Sequence, residues 1–325
     1  MLKLLKKIII GLVIFVIGLV FIVWLVWIPG ATGPGYSYVL SWGSKGSAAG
    51  QFNDPIGIAT TASEVFVSDA RNARVQVFDY DGRFIRQFGK KGDGPGELGR
   101  PMNLTIAKNE LYVADYFNDR IQVFSLDGTP LRSIGKHGSG PGEFNAPGGV
   151  AVGVNGDLYV ADFYGQRVEQ LSSDGQFIRQ WGNTGKVGIL AGEFNYPTDV
   201  AVADDGTVYV ADGYNDRVQV FDAQGQFVRK WGGPFGMDIF GPFNGWFATV
   251  TSITLDAQGN ILVADFYNNR VQKFTPQGKF LSSFGKKGTG EGQFRKAIAV
   301  AVGADGSVFV TDFLNNRVQK WKPKP

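Results

Sequence analysis

The chain has 325 residues, 14% of them aromatic, with 46 glycines, no cysteine and a single histidine, His137. Its formal charge of +3 vanishes once Lys3, Lys6 and Lys7 at the N-terminus are set aside, leaving 29 basic residues against 29 acidic ones. These counts exclude a disulfide scaffold and a zinc centre of the three-His kind; with no basic excess to displace counterions, they also argue against a nucleic-acid binder.

From the N-terminus, residues 8–28 form an apolar run of 21, long enough for one membrane-spanning helix. The lysines before it would hold the N-terminus in the cytoplasm, and Trp24 and Trp27 fall where an aromatic belt sits. A cleaved signal peptide would show a shorter apolar core and an A-x-A-like site, whereas here the small pair Ala31 and Gly33 would put Pro34 just after the cut. Residues 1–28 are therefore expected to be a cytoplasmic stub and retained anchor. Residues 29–35 (PGATGPG) form a linker reaching at most about 25 Å.

The remainder, 36–325, is one repeat written six times. An Asp-x₄-Arg pair recurs as DARNAR, DYFNDR, DFYGQR, DGYNDR, DFYNNR and DFLNNR. The pairs are Asp69 with Arg74, Asp115 with Arg120, Asp162 with Arg167, Asp212 with Arg217, Asp265 with Arg270, and Asp312 with Arg317. Their spacing of 46, 47, 50, 53 and 47 residues is that of a propeller blade. Within each unit the apolar period is two. A small apolar strand (GVAV, DVAV, AVAV), a turn, and a strand such as ELYVAD or TVYVAD precede the pair; RVQVF or a relative follows it. Four short antiparallel strands per unit predict a six-bladed all-β propeller.

The chain ends supply a second argument. A fourth-strand segment, Tyr36–Trp42, comes first, and a third-strand segment ending near Trp321 comes last. The N-terminal segment is expected to complete the last blade, closing the ring and removing two exposed sheet edges.

Gly142–Glu143–Phe144 with Pro147, Tyr159–Val160–Ala161–Asp162 and Arg217–Val218–Gln219–Val220–Phe221 resemble the NHL-repeat family across nearly everything after residue 36. The family's usual His is missing before the Arg, where Ala73, Asp119, Gln166, Asp216, Asn269 and Asn316 stand. The resemblance implies a six-bladed propeller and little about activity, because such propellers include lyases, lactonases, RNA binders and docking platforms. The family's commonness in bacteria, together with the anchor, implies a single-pass protein of a bacterial inner membrane with the propeller in the periplasm.

Six equivalent Asp–Arg pairs read as a structural clamp, since catalysis needs an asymmetric constellation. The starts of the innermost strands carry Gly57, Asn103, Gly149, Asp199, Ser252 and Ala299, of which only Asn103 and Asp199 are weak metal-ligand candidates; calcium wants six to eight oxygens. No catalytic residues and no cofactor are assigned. Asymmetry is the better guide to use. Two interblade loops are enlarged, at 182–192 and 232–247, and the second carries Phe235, Met237, Phe240, Phe243, Trp246 and Phe247. With Tyr116, Phe163, Tyr164, Tyr214 and Tyr267 of the Asp-to-Arg turns, these are the candidate partner contacts, the alternative being that the long loop plugs the channel. The expected function is a non-catalytic docking subunit of a larger membrane complex, a bioenergetic one being a natural host. It would meet other protein subunits and touch the bilayer through residues 8–28. The alternatives are a metal-dependent propeller hydrolase or lyase, and a binder of carbohydrate or cell-wall fragments.

Overall fold

A computed structural model describes residues 2–325, with the side chains of residues 2, 3 and 23–27 excepted. The belt expected at Trp24 and Trp27, and the charge of Lys3, lie outside the described residues. Helix α1 (Leu2–Trp27) comes first. Its stretch Leu4–Ile22 has a mean hydropathy of 2.7, is wholly unburied, and is long and apolar enough to cross a membrane.

The rest is a ring of six four-stranded antiparallel sheets. Each of the first five blades is built from consecutive strands, as in blade 1: Pro55–Thr60, Glu64–Asp69, Arg74–Asp79 and Phe84–Phe88. The sixth takes Ala297–Val302, Val308–Asp312 and Arg317–Pro323, and then Tyr36–Trp42 from the other end of the chain. Tyr36 faces Pro323, Tyr38 faces Trp321 and Trp42 faces Val318 in that pairing. Tyr36 also packs against Phe284 of blade 5 at 4.5 Å, so the closing strand ties two blades.

The second strand of every blade is buried on both faces, which suits β-branched and aromatic residues. The core is accordingly six apolar wedges, each shared by neighbouring sheets. One joins Val65, Val67 and Phe78 of blade 1 to Phe309 and Val318 of blade 6. Inner strands must approach closely. A Cβ on Gly57 would stand 2.2 Å from Met102 O of the next blade, so only glycine fits there.

The Asp–Arg pair holds each interblade loop to the blade that follows. In all six blades Arg Nε meets Asp Oδ2 at 2.7–3.3 Å. Arg Nη2 donates to a loop carbonyl at 2.5–2.9 Å, and Asp Oδ1 accepts a loop N–H at 2.7–2.8 Å. The residue before the Arg is left-handed throughout, with φ of 51–57°. Its side chain staples the next loop wherever it can accept: Gln166 Oε1 takes the N–H of Tyr196, and Asn269 Oδ1 that of Lys296. That common task explains why polar residues stand where the family's His would be.

A glutamine two residues after the Arg completes the clamp. Gln219 Nε2 donates to Glu193 O and Asp212 Oδ2, and its Oε1 accepts from Gly192. Gln76 and Gln272 do the same in their blades. Blade 3 has Glu169 instead. Its Oε2 accepts from Gly142, but an acceptor now occupies the donor's place, near Asp162, and stands 2.9 Å from Arg167 Nη1. Burial, with Asp162 and Glu143 adding repulsion, pushes the Glu169 carboxyl up to about 7 against the pull of Arg167.

Two outcomes follow from this architecture. A soluble chain beginning at Gly43 should melt at least about 10 °C below one beginning at Gly35, because it loses the closing strand; equal melting would refute closure by Tyr36–Trp42. Glu169→Gln should stabilise the protein. The folded state raises this carboxyl's pKa, so charging it costs stability as pH rises from about 4.5 to about 7. Denaturation at pH 8 should show a gain on the order of 2 kcal/mol, shrinking to nothing near pH 4; a pH-independent difference would contradict the assignment.

Candidate functional site

The Asp-to-Arg turns and the interblade loops lie at one end of the channel, and there the turn aromatics converge. Tyr116, Phe163, Tyr164, Tyr214 and Tyr267 all line one cavity of about 600 Å³. Tyr164, Tyr214 and Tyr267 are 48–57% exposed, and Phe117 is exposed beside them. Tyr116 stands 6.0 Å from Phe163 and 6.1 Å from Tyr164, ring to ring, and Phe163 is 6.2 Å from Tyr214. Burial and a hydrogen bond with Tyr164 raise the Tyr116 phenol.

Tyr196, which the sequence reading passed over, joins this arc. It contacts Phe163 at 4.8 Å and Tyr214 at 5.1 Å. It holds φ of 52° at the loop position where other blades carry Asp54 and Ala146, a conformation that costs a residue with a Cβ about 1–2 kcal/mol. Aligning the repeats on the loop proline would have exposed this aromatic substitution. On the far side Lys296 lies over Tyr267 at 3.7 Å, and on another Arg100 lies over Phe117.

The cavity narrows at the inner strands. Asn103 of blade 2 reaches across the ring to blade 5, with Nδ2 3.4 Å from Thr251 O. Beyond this waist a second cavity of about 270 Å³ opens, lined by Asp199. Asp199 Oδ2 accepts the N–H of Ile253 from the next blade, and the Asn103 and Ser252 side chains also hydrogen-bond its carboxyl. Burial raises it to about 7. The groups facing this carboxyl act as hydrogen-bond donors to it, so Asn103 serves as the waist and Asp199 as an interblade staple. Among the described residues no three His, Cys, Asp or Glu side chains gather as a metal site.

The 232–247 loop does not plug the channel, since none of its residues line either cavity. It runs over the outer part of blade 5, where Arg270 binds the carbonyls of Pro242, Phe243 and Trp246. Two of its aromatics are unsuited to a partner. Phe247 is completely buried against Phe274, at the position that Phe52, Phe144, Phe194 and Phe294 fill in other blades, and Trp246 is buried beside Phe243. Phe235, Met237, Phe240 and Phe243 are exposed. His137 is also exposed, with Nδ1 2.9 Å from Asp119 Oδ2; it lies outside the cavity, while the other Asp119 oxygen staples Ala146.

The family described as NHL repeat matches residues 194–221 and 247–274, and the family described as 6-bladed beta-propeller matches residues 51–110 and 97–183. No curated protein matches the chain. Among solved structures, a streptogramin B lyase is 16% identical over 89% of this chain and 98% of its own, with a TM-score of 0.61. A protein of unknown function from Bacteroides thetaiotaomicron is 16% identical over 89% of this chain and 76% of its own, with a TM-score of 0.68. The WD40 propeller domain of Doa1 is 13% identical over 90% and 98%, with a TM-score of 0.61. At such identities the likeness is one of fold, and a lyase and a WD40 domain share it equally. The chain is a six-bladed β-propeller carrying NHL repeats, preceded by a helix long and apolar enough to span a membrane.

Proposed function

We propose that this propeller is a non-catalytic docking subunit of a membrane complex. In this reading residues 8–28 are a retained anchor, the N-terminus is cytoplasmic, and the propeller stands in the periplasm of a bacterial inner membrane. The aromatic mouth receives a protruding segment of a neighbouring subunit. The observation that supports it most is the arc of rings from Tyr116 to Tyr267, three of them exposed, around a concave mouth that narrows at Asn103. A pocket that narrows to a waist beneath its rings suits a side chain or loop tip, and aromatic anchors dominate such interfaces.

The polar groups at the mouth favour binding over chemistry. Asp119 is committed to the Ala146 N–H and to His137, and Arg100 stacks on Phe117. An acid–base pair aimed into the cavity is what the hydrolase or lyase alternative would require.

Tyr164→Ser combined with Tyr214→Ser tests the mouth. Purification from native membranes in mild detergent should lose partner recovery by about 30-fold if these rings are anchors worth about 2 kcal/mol or more, with the melting temperature unchanged. Undiminished recovery of partners by the folded variant would overturn docking at the mouth. Recovery that is abolished by added soluble glycan would instead favour the carbohydrate reading.

A further inference from the structure

The exposed apolar residues of the long loop sit elsewhere than the mouth, and the linker shows where. Asn244 Nδ2 donates to Pro29 O at 3.2 Å, and the Pro29 ring lies against Gly245, 3.3 Å from where a Cβ would stand. The chain then runs along the outer strand of blade 5. Thr32 and Gly33 both donate their N–H to Leu281 O at 2.9 Å, and Thr32 Oγ1 donates to Phe280 O. The linker is therefore no free tether. Pro29 follows the last residue of α1, Trp27, by two positions, a reach of at most about 7 Å. The loop thus meets the chain where it leaves the helix.

The second enlarged loop is continuous with the first. Arg217 Nη1, fully buried, donates to both Ile189 O and Gly236 O, so the two backbones share one guanidinium nitrogen. Around that junction Val187, Ile189 and Leu190 are exposed on one loop, and Met237, Ile239 and Phe240 on the other, with Leu190 at 63% and Phe240 at 74%. In 182–192 and 232–247 together the charged residues are Lys186 and Asp238 alone. A patch this apolar and this poor in charge, on joined loops one of which touches the chain two residues past a helix long and apolar enough to cross a membrane, fits the interface of a bilayer.

We infer that the two enlarged loops around blade 4 form a lipid-contacting lip, which with α1 seats the propeller on the membrane by its rim. The inference rests on α1 being a retained span. The occupant is lipid, with the rings and aliphatic side chains lying among headgroups and upper acyl chains.

The chain contains no cysteine, so single-cysteine variants can be labelled cleanly. Phe240→Cys, Leu190→Cys, Ile14→Cys and Arg83→Cys, each in the full chain, would carry an environment-sensitive fluorophore and be reconstituted in phosphatidylcholine–phosphatidylglycerol vesicles holding lipids with a shallow acyl-chain nitroxide. Arg83 lies on blade 1, across the ring, with its side chain 80% exposed. Quenching at positions 240 and 190 at least about threefold that at position 83 is expected for an interfacial lip. Strong quenching at 14 with none at 240 or 190 would overturn the lip and leave the anchor standing. Absence of quenching at 14 as well would remove the anchor reading and the lip with it. Probes at 240 and 190 that are unquenched in vesicles yet shielded in native membranes would assign the patch to a protein partner and overturn the lipid contact.

Discussion

The ring depends on one repeated arrangement: a buried aspartate and arginine whose remaining hydrogen-bonding capacity is taken up by the interblade loop that leads into their own blade. A guanidinium has five donors and no acceptor, and a carboxylate only acceptors. Burying either alone costs several kcal/mol, and burying both together often gains little by itself. The value of the pair here is in what it specifies. Arg217 spends Nε on Asp212 and its other nitrogens on loop carbonyls, while the Asp212 Oδ1 takes the N–H of Asn195. A loop that strays from this path leaves charges unpaired, so loop and blade are positioned together.

That constraint also explains where variation is tolerated. The last residues of each loop are gripped, from Ala48 to Gln51 in blade 1 and from Pro242 to Trp246 in blade 5. Extra residues can only bulge outward ahead of the grip, as the stretch before Pro242 does. Both large insertions flank blade 4, and both put apolar side chains into solvent, which makes them features with a use rather than tolerated length. Glu169 is a different kind of departure, a change within the grip itself. It exchanges a donor for an acceptor in a buried network, and so couples one blade's stability to pH.

The propeller's local rules were readable because they recur. Six copies average out accident, and the leftover strand at each end has one economical use. The candidate site was readable only in part. The turn aromatics Tyr116, Phe163, Tyr164, Tyr214 and Tyr267 occupy the two positions after the turn Asp in their repeats and so share a place at the mouth. The long loop had no counterpart to align, and its residues were grouped by composition. Phe240 and Phe247 look alike in composition, yet one is 74% exposed and the other wholly buried, because Phe247 occupies the shared core position after the gripped turn.

By itself the sequence determined strand period, blade count, clamp and ring closure, since each is set by spacing within about fifty residues or by the pairing of two chain ends. Tertiary structure alone decided that Asn103 reaches Thr251 across the ring, that Pro29 docks on Asn244, and that two loops converge on Arg217. The first two contacts join residues 148 and 215 positions apart. The third joins loops with no pattern in common. No local periodicity encodes such meetings; they exist only once the closed ring has fixed which blade stands opposite or beside which.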